Sequence, residues 1–416
     1  MELCLPPPVW RALRLLEENG YAAYAVGGCV RDRLRGEEPH DWDIATSARP
    51  EQIAGSFAGC AQVIPTGLQH GTVTLLLDGW TLEATTFRVD GPYTDRRRPD
   101  SVAFTSDLEA DLARRDFTIN AMAYSPWRGL ADPFGGRRDL AGRRLRCVGT
   151  PVLRFREDAL RILRGLRFLS QLGFSMEEET GEALLACREL LRSVSAERLA
   201  AETGRLFCGP HAGRVLRAYR QVLTVFLPEL LPSMQSGAWE SAVQAAEALP
   251  PVLELRWAAL LGGMSGPARM GAADGLLRRL RLDNRTRERI IFLFQNGENA
   301  IPADAASVRR QLYQAGEERF RLLLTFWRGL HAGEESHLAQ LDAAERAMEE
   351  ALAGGMPLSL HGLAVSGRDL LALGLPAGPQ VGRLLETLLN QVLEGTADNH
   401  RETLLHLAEK QWKKGL

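Results

Sequence analysis

The twenty residues Gly27–Thr46, GGCVRDRLRGEEPHDWDIAT, decide how the N-terminal part of this 416-residue chain is read. Two glycines follow an apolar run, YAAYAV, and precede a short stretch of helical composition that Gly36 closes. That order predicts a buried strand, a glycine turn and one or two turns of helix. At such a turn the first helical N–H groups are unsatisfied and the dipole is positive. Gly27 and Gly28 would therefore let a phosphate approach the backbone, with Arg31 one turn on to grip it; the plain alternative is an ordinary tight turn. Asp41 and Asp43 follow, two residues apart. On a strand they project from one face while Trp42 and Ile44 enter the core. Two carboxylates held together repel unless a cation sits between them, and Mg2+ is commonly held by one or two carboxylates. A solvated strand end is the alternative here.

Outward from this stretch, Val9–Asn19 has apolar spacing of three and four and predicts a helix stopped by Gly20. GTVTLLLDGWTLEATTFR is two β-branched, apolar runs joined by Asp78-Gly79, a strong hairpin signal. Glu83 on the second run is either a third carboxylate for the same metal or an exposed strand residue. After Thr150 strand signals nearly vanish, and Leu, Ala, Arg and Glu recur with helical spacing. The predicted fold class is thus α+β: an N-terminal head of mixed sheet and helices, followed by an all-helical region.

Apolar content of 45% and charged content of 25% place the chain in the ordinary globular range. A formal net charge of -2 excludes a uniformly basic coat, so any nucleic-acid contact must be regional. From Arg137 to Arg167, ten arginines face three acids, a local excess of +7. The six cysteines are scattered without a CxxC pair, and no run of about 18 apolar residues occurs. A reduced, cytoplasmic protein without a membrane span is expected. Nothing in the sequence separates a monomer from a homodimer.

Five motifs now stand in order over roughly residues 20 to 170: Gly27-Gly28 with Arg31-Asp32; Asp41-x-Asp43; RRDFTINAMAY from Arg114; DPFGGRRDL from Asp132; and EDALRILRGLRF from Glu157. Together they resemble the class II CCA-adding enzymes, tRNA nucleotidyltransferases related to bacterial poly(A) polymerases. The resemblance implies a nucleotidyltransferase head at 1–147, a helical neck with a nucleotide-recognition helix at 148–210, a helical body at 211–300 and a tRNA-binding tail at 301–416. It implies CMP, CMP and AMP transfer from CTP and ATP to the tRNA 3′ end, without a nucleic-acid template. By the same resemblance Gly28 and Arg31 meet the nucleotide's phosphates, Asp41 and Asp43 hold magnesium, Arg115 holds nucleotide, and Asp116 and Asn120 lie near the ribose. Asp158, Arg161, Arg164 and Arg167 fall on the nucleotide-binding helix.

Taken by itself, EDALRILRGLRFLSQLG predicts one amphipathic helix. Ile162, Leu163, Leu166 and Leu169 gather on one arc, and Glu157, Arg161 and Arg164 lie opposite, flanked by Asp158 and Arg167. The bland reading is a solvated face with Asp158 and Arg161 as an i,i+3 pair. The sharper reading uses hydrogen-bond inventories, since a carboxylate only accepts and a guanidinium only donates. Cytosine and adenine each offer an amino donor beside a ring-nitrogen acceptor, whereas uracil and guanine offer the reverse. An Asp beside an Arg therefore suits C or A.

Arg88–Val102 resembles the family's flexible loop, with Tyr93, Asp95, Arg97 and Pro99 in place but Arg96 where a glycine is usual. Relatives that add only the two cytidines lack this loop. In the C-terminal stretch Gly378-Pro379 and Gly382 are expected to start a helix near a phosphate, or simply to form a helix-hairpin turn. No His-Asp dipeptide occurs, so no metal-dependent phosphohydrolase domain is expected. Rival readings are A-addition alone, polyadenylation, or a non-catalytic RNA-binding protein.

Overall fold

The computed structural model describes residues 3–91, 101–354, 356–357 and 359–413. Tyr93, Asp95, Arg96, Arg97 and Pro99 of the expected flexible loop lie outside the described residues. The chain divides into two compact units, Met1–Leu231 with Arg279–Arg281, and Pro232–Arg278 with Leu282–Leu416.

The first unit begins with helix α1 (Pro7–Glu18), whose buried stripe is Val9, Ala12, Leu13 and Leu16. Strand β1 (Ala23–Val26), helix α2 (Gly28–Leu34) and strand β2 (Asp43–Thr46) follow as the glycine turn and alternating pattern predict. Helix α3 (Pro50–Ser56) leads to β3 (Gln62–Gly67), β4 (Thr72–Leu77) and β5 (Trp80–Thr86). Asp78 and Gly79 both have positive φ, +50° and +79°, the requirement of a type I′ hairpin turn. Short β6 (Arg88–Asp90) pairs with β7 (Val102–Phe104), and after α4 (Leu108–Ala113) come β8 (Ala123–Ser125) and β9 (Gly129–Ala131).

The main sheet has the order β3-β4-β5-β2-β1-β8-β9. Only β2 and β5 run parallel among its pairs, and their register sets Asp43 beside Glu83. Because side chains alternate, Trp42 and Ile44 are buried while Asp41 and Asp43 are exposed on the other side. Tyr24, Val26, Ala45, Phe87, Leu112, Ala121, Ala123 and Val148 form the packed cluster on that side of the sheet.

Helices α5 (Gly136–Ala141), α6 (Pro151–Glu157), α7 (Leu160–Leu172), α8 (Glu178–Cys187) and α9 (Ala196–Phe207) complete the part of this unit that matters for the site. The single helix expected from Glu157 onward is in fact broken. Asp158 ends α6 with φ -135° and ψ 104°, an extended conformation, and α7 starts two residues later. The apolar arc of α7 is buried as expected, but Asp158 occupies the joint between two helices and not the face of one. Periodicity missed the joint because both flanking segments carry the same helical spacing. Gly165 of α7 lets the helix pack closely: a Cβ there would stand 3.1 Å from the Phe117 ring, which would have to shift by a few tenths of an ångström.

The second unit is helical. Its last part is held by Leu370, Leu384, Leu388, Leu393, Leu404 and Ala408, which are buried together. Gly378 precedes the helix Pro379–Leu393, so the Gly-Pro start expected from the sequence is present. No described helix is long and apolar enough to cross a membrane.

Candidate active site

Gly27 has φ +78° and ψ -127°, a region open essentially to glycine, and a Cβ there would lie 2.8 Å from Nη1 of Arg115. The missing side chain thus serves two ends: the turn can form, and a guanidinium can lie against the backbone. Arg31, one turn into α2, donates from Nη1 to Oδ1 of Asn120 at 2.7 Å and is clasped from below by both Asp32 oxygens at 2.8 Å. Its charge is therefore fixed in place and not free to swing.

Arg114-Arg115-Asp116 forms the next wall. Asp111 of α4 is fully buried and anchors both arginines, Arg114 at 2.9 Å and Arg115 at 3.6 Å. Burial pulls the Arg115 pKa down, against the pull of Asp111. Asp116 receives the Phe117 N–H at 2.8 Å, the Asn120 Nδ2 at 3.2 Å and Arg164 through Nε at 2.7 Å. Burial alone would raise its pKa, but the adjacent Arg164 and Arg161 overcome that and hold it at about 2.

The DPFGGRRDL motif braces this wall from behind. Asp132 accepts the Gly136 and Arg137 N–H groups at 2.6 and 2.9 Å, and Asp139 accepts the Thr118 hydroxyl at 2.6 Å. A Cβ at Gly136 would collide with the Thr118 carbonyl at 2.2 Å, so this glycine permits the close approach.

On the helical side, the side chains of Asp158 and Arg161 do not pair with one another, although the Arg161 N–H donates to the Asp158 carbonyl at 3.0 Å. Asp158 accepts the Leu160 N–H at 3.1 Å and a guanidinium N–H from Arg198 of α9 at 2.8 Å. Arg161 donates to Glu157 at 2.7 Å and to the carbonyl of Arg114 at 2.8 Å. Arg164 is engaged by Asp116, and Arg167 pairs with Glu202 of α9 at 3.0 Å. Burial pushes the Arg167 pKa down to about 10, with Glu202 opposing. The guanidiniums of Arg31, Arg164 and Arg167 all lie over the Phe168 ring, at 5.4, 5.7 and 4.3 Å from its centroid.

These groups enclose a cavity of 460 Å³, the size of a small-ligand site. Gly27, Gly28, Arg31, Asp43, Arg115, Asp116, Asn120, Asp158, Arg161, Arg164 and Arg167 all line it, so eleven of the twelve residues singled out from sequence converge. Asp41 does not line it, although its charge, with that of Glu83, acts on Asp43. Crowding by protein raises the Asp43 pKa most, Glu83 and Asp41 add to it, and Arg115 opposes. Seven arginines against three aspartates in the lining make the cavity a receptor for a highly charged anion.

Asp111, Arg114, Phe168, Arg198 and Glu202 were not foreseen. Arg198 and Glu202 stand at i and i+4 on α9, a spacing that marks one face, but their partners Asp158 and Arg167 are 40 and 35 residues away. The arginine-rich stretch from Arg137 to Arg167 is also less free than its charge suggests, since Arg146, Arg154, Arg161, Arg164 and Arg167 are all ion-paired.

The head fold and this cavity define a nucleotidyltransferase. The family model described as "Poly A polymerase head domain" matches residues 23–146, "Probable RNA and SrmB- binding site of polymerase A" matches 173–234, and "tRNA nucleotidyltransferase domain 2 putative" matches 253–408. A CCA-adding enzyme of Geobacillus thermodenitrificans is 37% identical over 409 residues, covering 96% of each chain. One of Lactobacillus delbrueckii subsp. bulgaricus is 35% identical, covering 94% of each. The crystal structure of the Bacillus stearothermophilus CCA-adding enzyme in complex with CTP superposes with a TM-score of 0.84 at 32% identity, over 99% of both chains. The Thermotoga maritima CCA-adding enzyme complexed with tRNA, at 21% identity and a TM-score of 0.60, shares the fold. The chain belongs to the CCA-adding enzyme family of tRNA nucleotidyltransferases.

Proposed function

We propose that this chain adds CMP, CMP and AMP in turn to the 3′ end of tRNA from CTP and ATP, with Mg2+, in the cavity between the glycine turn and α7. The observation that carries this reading is the convergence of an arginine-lined anion cavity, a carboxylate pair at the start of the central strand β2 and a separately anchored Asp158 and Arg161. The names and bound nucleotide of the full-length relatives support the choice of substrates.

Asp41 and Asp43, with Glu83 in register beside Asp43, would hold the metal. The set is all oxygen, which suits Mg2+; burial raises the Asp43 pKa most, and the repulsion that Glu83 and Asp41 add to it is what a cation would relieve. When bound, Mg2+ neutralises phosphate charge and activates the attacking ribose hydroxyl. The chain's own contribution is mainly positioning and electrostatics. Arg31 and Arg115 bind the triphosphate against the bare backbone of Gly27 and Gly28. Asp116 and Asn120 shape the floor under the ribose, with Arg164 locking Asp116.

Asp158 and Arg161 read the base. Each is held by its own partner, so neither must break a bond to the other before meeting the nucleotide. The Asp158 carboxylate accepts from the amino group of C or A, and Arg161, whose five N–H donors exceed its three bonds to protein, donates to the ring nitrogen. Uracil or guanine would leave buried groups unpaired, at a cost of about 1–3 kcal/mol per group.

The test is incorporation by the purified protein with Mg2+ on three transcripts: tRNA lacking CCA, tRNA ending in CC, and an unrelated RNA. Extension of the first by CCA establishes the proposal. A single A added only to the CC-ending tRNA identifies an A-adding enzyme. Long A tracts on every RNA identify a polyadenylating one. An inactive wild type that still binds tRNA would leave only the RNA-binding reading.

A further inference from the structure

Three side chains of the second unit, none of which belongs to the nucleotide cavity lining, form a donor set of a different chemistry. His331 follows the helix Glu317–Leu330 as its C-terminal cap, Glu334 caps the start of the helix Glu335–Ala353, and His337 lies in that helix's first turn. One ligand atom from each lies within 4.8 Å of the others, the only such trio of His, Cys, Asp or Glu side chains among the described residues. We infer that His331, Glu334 and His337 form a binding site for a zinc-class divalent metal ion.

The backbone holds the trio in place. His331 N–H donates to the Trp327 carbonyl at 2.9 Å, Glu334 N–H to the His331 carbonyl at 3.0 Å, and Leu338 N–H to the Glu334 carbonyl at 3.0 Å. Gly333, with φ +94°, makes the reversal that brings the two helix ends together. The imidazole rings stack with centroids 4.3 Å apart and planes 19° from parallel, and the Nδ1 atoms of both meet the one carboxylate of Glu334.

One donor separation matches coordination, and the other is about 0.6 Å short of it, which a rotation of the partly exposed His337 side chain would open. Metal–ligand bonds of about 2.0–2.1 Å at tetrahedral angles put two donor atoms about 3.3 Å apart. Nδ1 of His331 is 3.4 Å from Oε1 of Glu334, and Nδ1 of His337 is 2.7 Å from Oε2. The His337 Nδ1 is moreover screened from water and makes no hydrogen bond, despite that short contact. A buried ring nitrogen left so carries a desolvation penalty that a metal bond would remove. Two imidazoles and one carboxylate leave a fourth position for water, and nitrogen donors select zinc, cobalt, nickel or copper over magnesium. The bound ion would tie the end of one helix to the start of the next.

The test uses the full chain, stripped with chelator and titrated with Co2+ and then Zn2+. The expected result is a visible ligand-field band that saturates at about one equivalent of Co2+ and is displaced by Zn2+. It should persist in D41N/D43N, whose all-oxygen site contributes only weak absorption, and vanish in H331A/H337A. Both histidines are partly exposed, so the double variant should keep its circular dichroism and its Mg2+-dependent incorporation. As a second variant, E334Q should weaken Co2+ binding about 10-fold or more with the band retained. No saturable band in the wild type, or an unchanged band in H331A/H337A, overturns the inference.

Discussion

Asp116→Asn offers a quantitative test of the cavity's electrostatics. Wild-type Asp116 is 7% exposed, accepts a hydrogen bond from Arg164 Nε within an ion pair to that guanidinium, and lies under the charge of Arg161. Its pKa is lowered to about 2 from an ordinary 3.8. At about 1.4 kcal/mol per unit, that is about 2.5 kcal/mol of stability at neutral pH. The folded-state pKa is depressed, so this contribution is fully present above 3.8 and is lost as pH falls through 2. The amide also leaves Arg164 without a counter-charge, and Arg164 is one-third exposed, so water would soften the penalty from the 3–5 kcal/mol of a fully buried broken pair. About 2–3 kcal/mol is expected, equivalent to about 30- to 150-fold faster amide exchange. Hydrogen exchange of the Thr118–Asn120 turn and of Leu160–Leu172, compared between wild type and variant in the full chain, reads this directly. The ratio should shrink about half-way, in free energy, by pH 3. A ratio below about 3-fold at pH 7, or one independent of pH, would refute the reasoning.

Gly27→Ala must adopt a strained φ and displace the Arg115 guanidinium, at about 1–3 kcal/mol; KM for CTP should rise about 10-fold or more in steady-state incorporation. Arg198→Ala releases Asp158, and discrimination of CTP against UTP should fall about 10-fold in competition assays, with little change in tRNA affinity. The D41N/D43N variant should lose incorporation by about 10³-fold or more while retaining nucleotide binding measured by filter retention. Glu83→Gln, one strand over from Asp43, should raise the Mg2+ concentration needed for half-maximal activity several-fold. An unchanged Mg2+ dependence would mean that Glu83 stands outside the metal's reach.

Much of the head was legible from local rules. Gly27-Gly28 predicted the turn, Asp78-Gly79 the hairpin, and the alternation around Trp42 and Ile44 placed Asp41 and Asp43 on the face opposite those two side chains. These features are short-range: a positive φ or a two-residue period is written in consecutive residues. The family's motifs supplied the remaining site residues, and the structure gathers all but Asp41 into one cavity lining.

What only tertiary structure decided is how those residues are held. The break at Asp158 was invisible because α6 and α7 carry similar periodicity on both sides of it, and at the joint the Asp158 side chain meets Arg198 of another helix, 40 residues on. Glu83 joins Asp43 through a parallel register, which no local pattern specifies because the two strands are separated by two others in sequence. Arg161 and Arg164 read identically in a helical wheel, yet one is held by Glu157 and the other by Asp116. Sequence by itself thus determined which chemical groups the protein possesses and which local turns expose them. The packing of α7 and α9 on the head decided which charges are neutralised, which remain directed into the cavity, and so which ligand the cavity can hold.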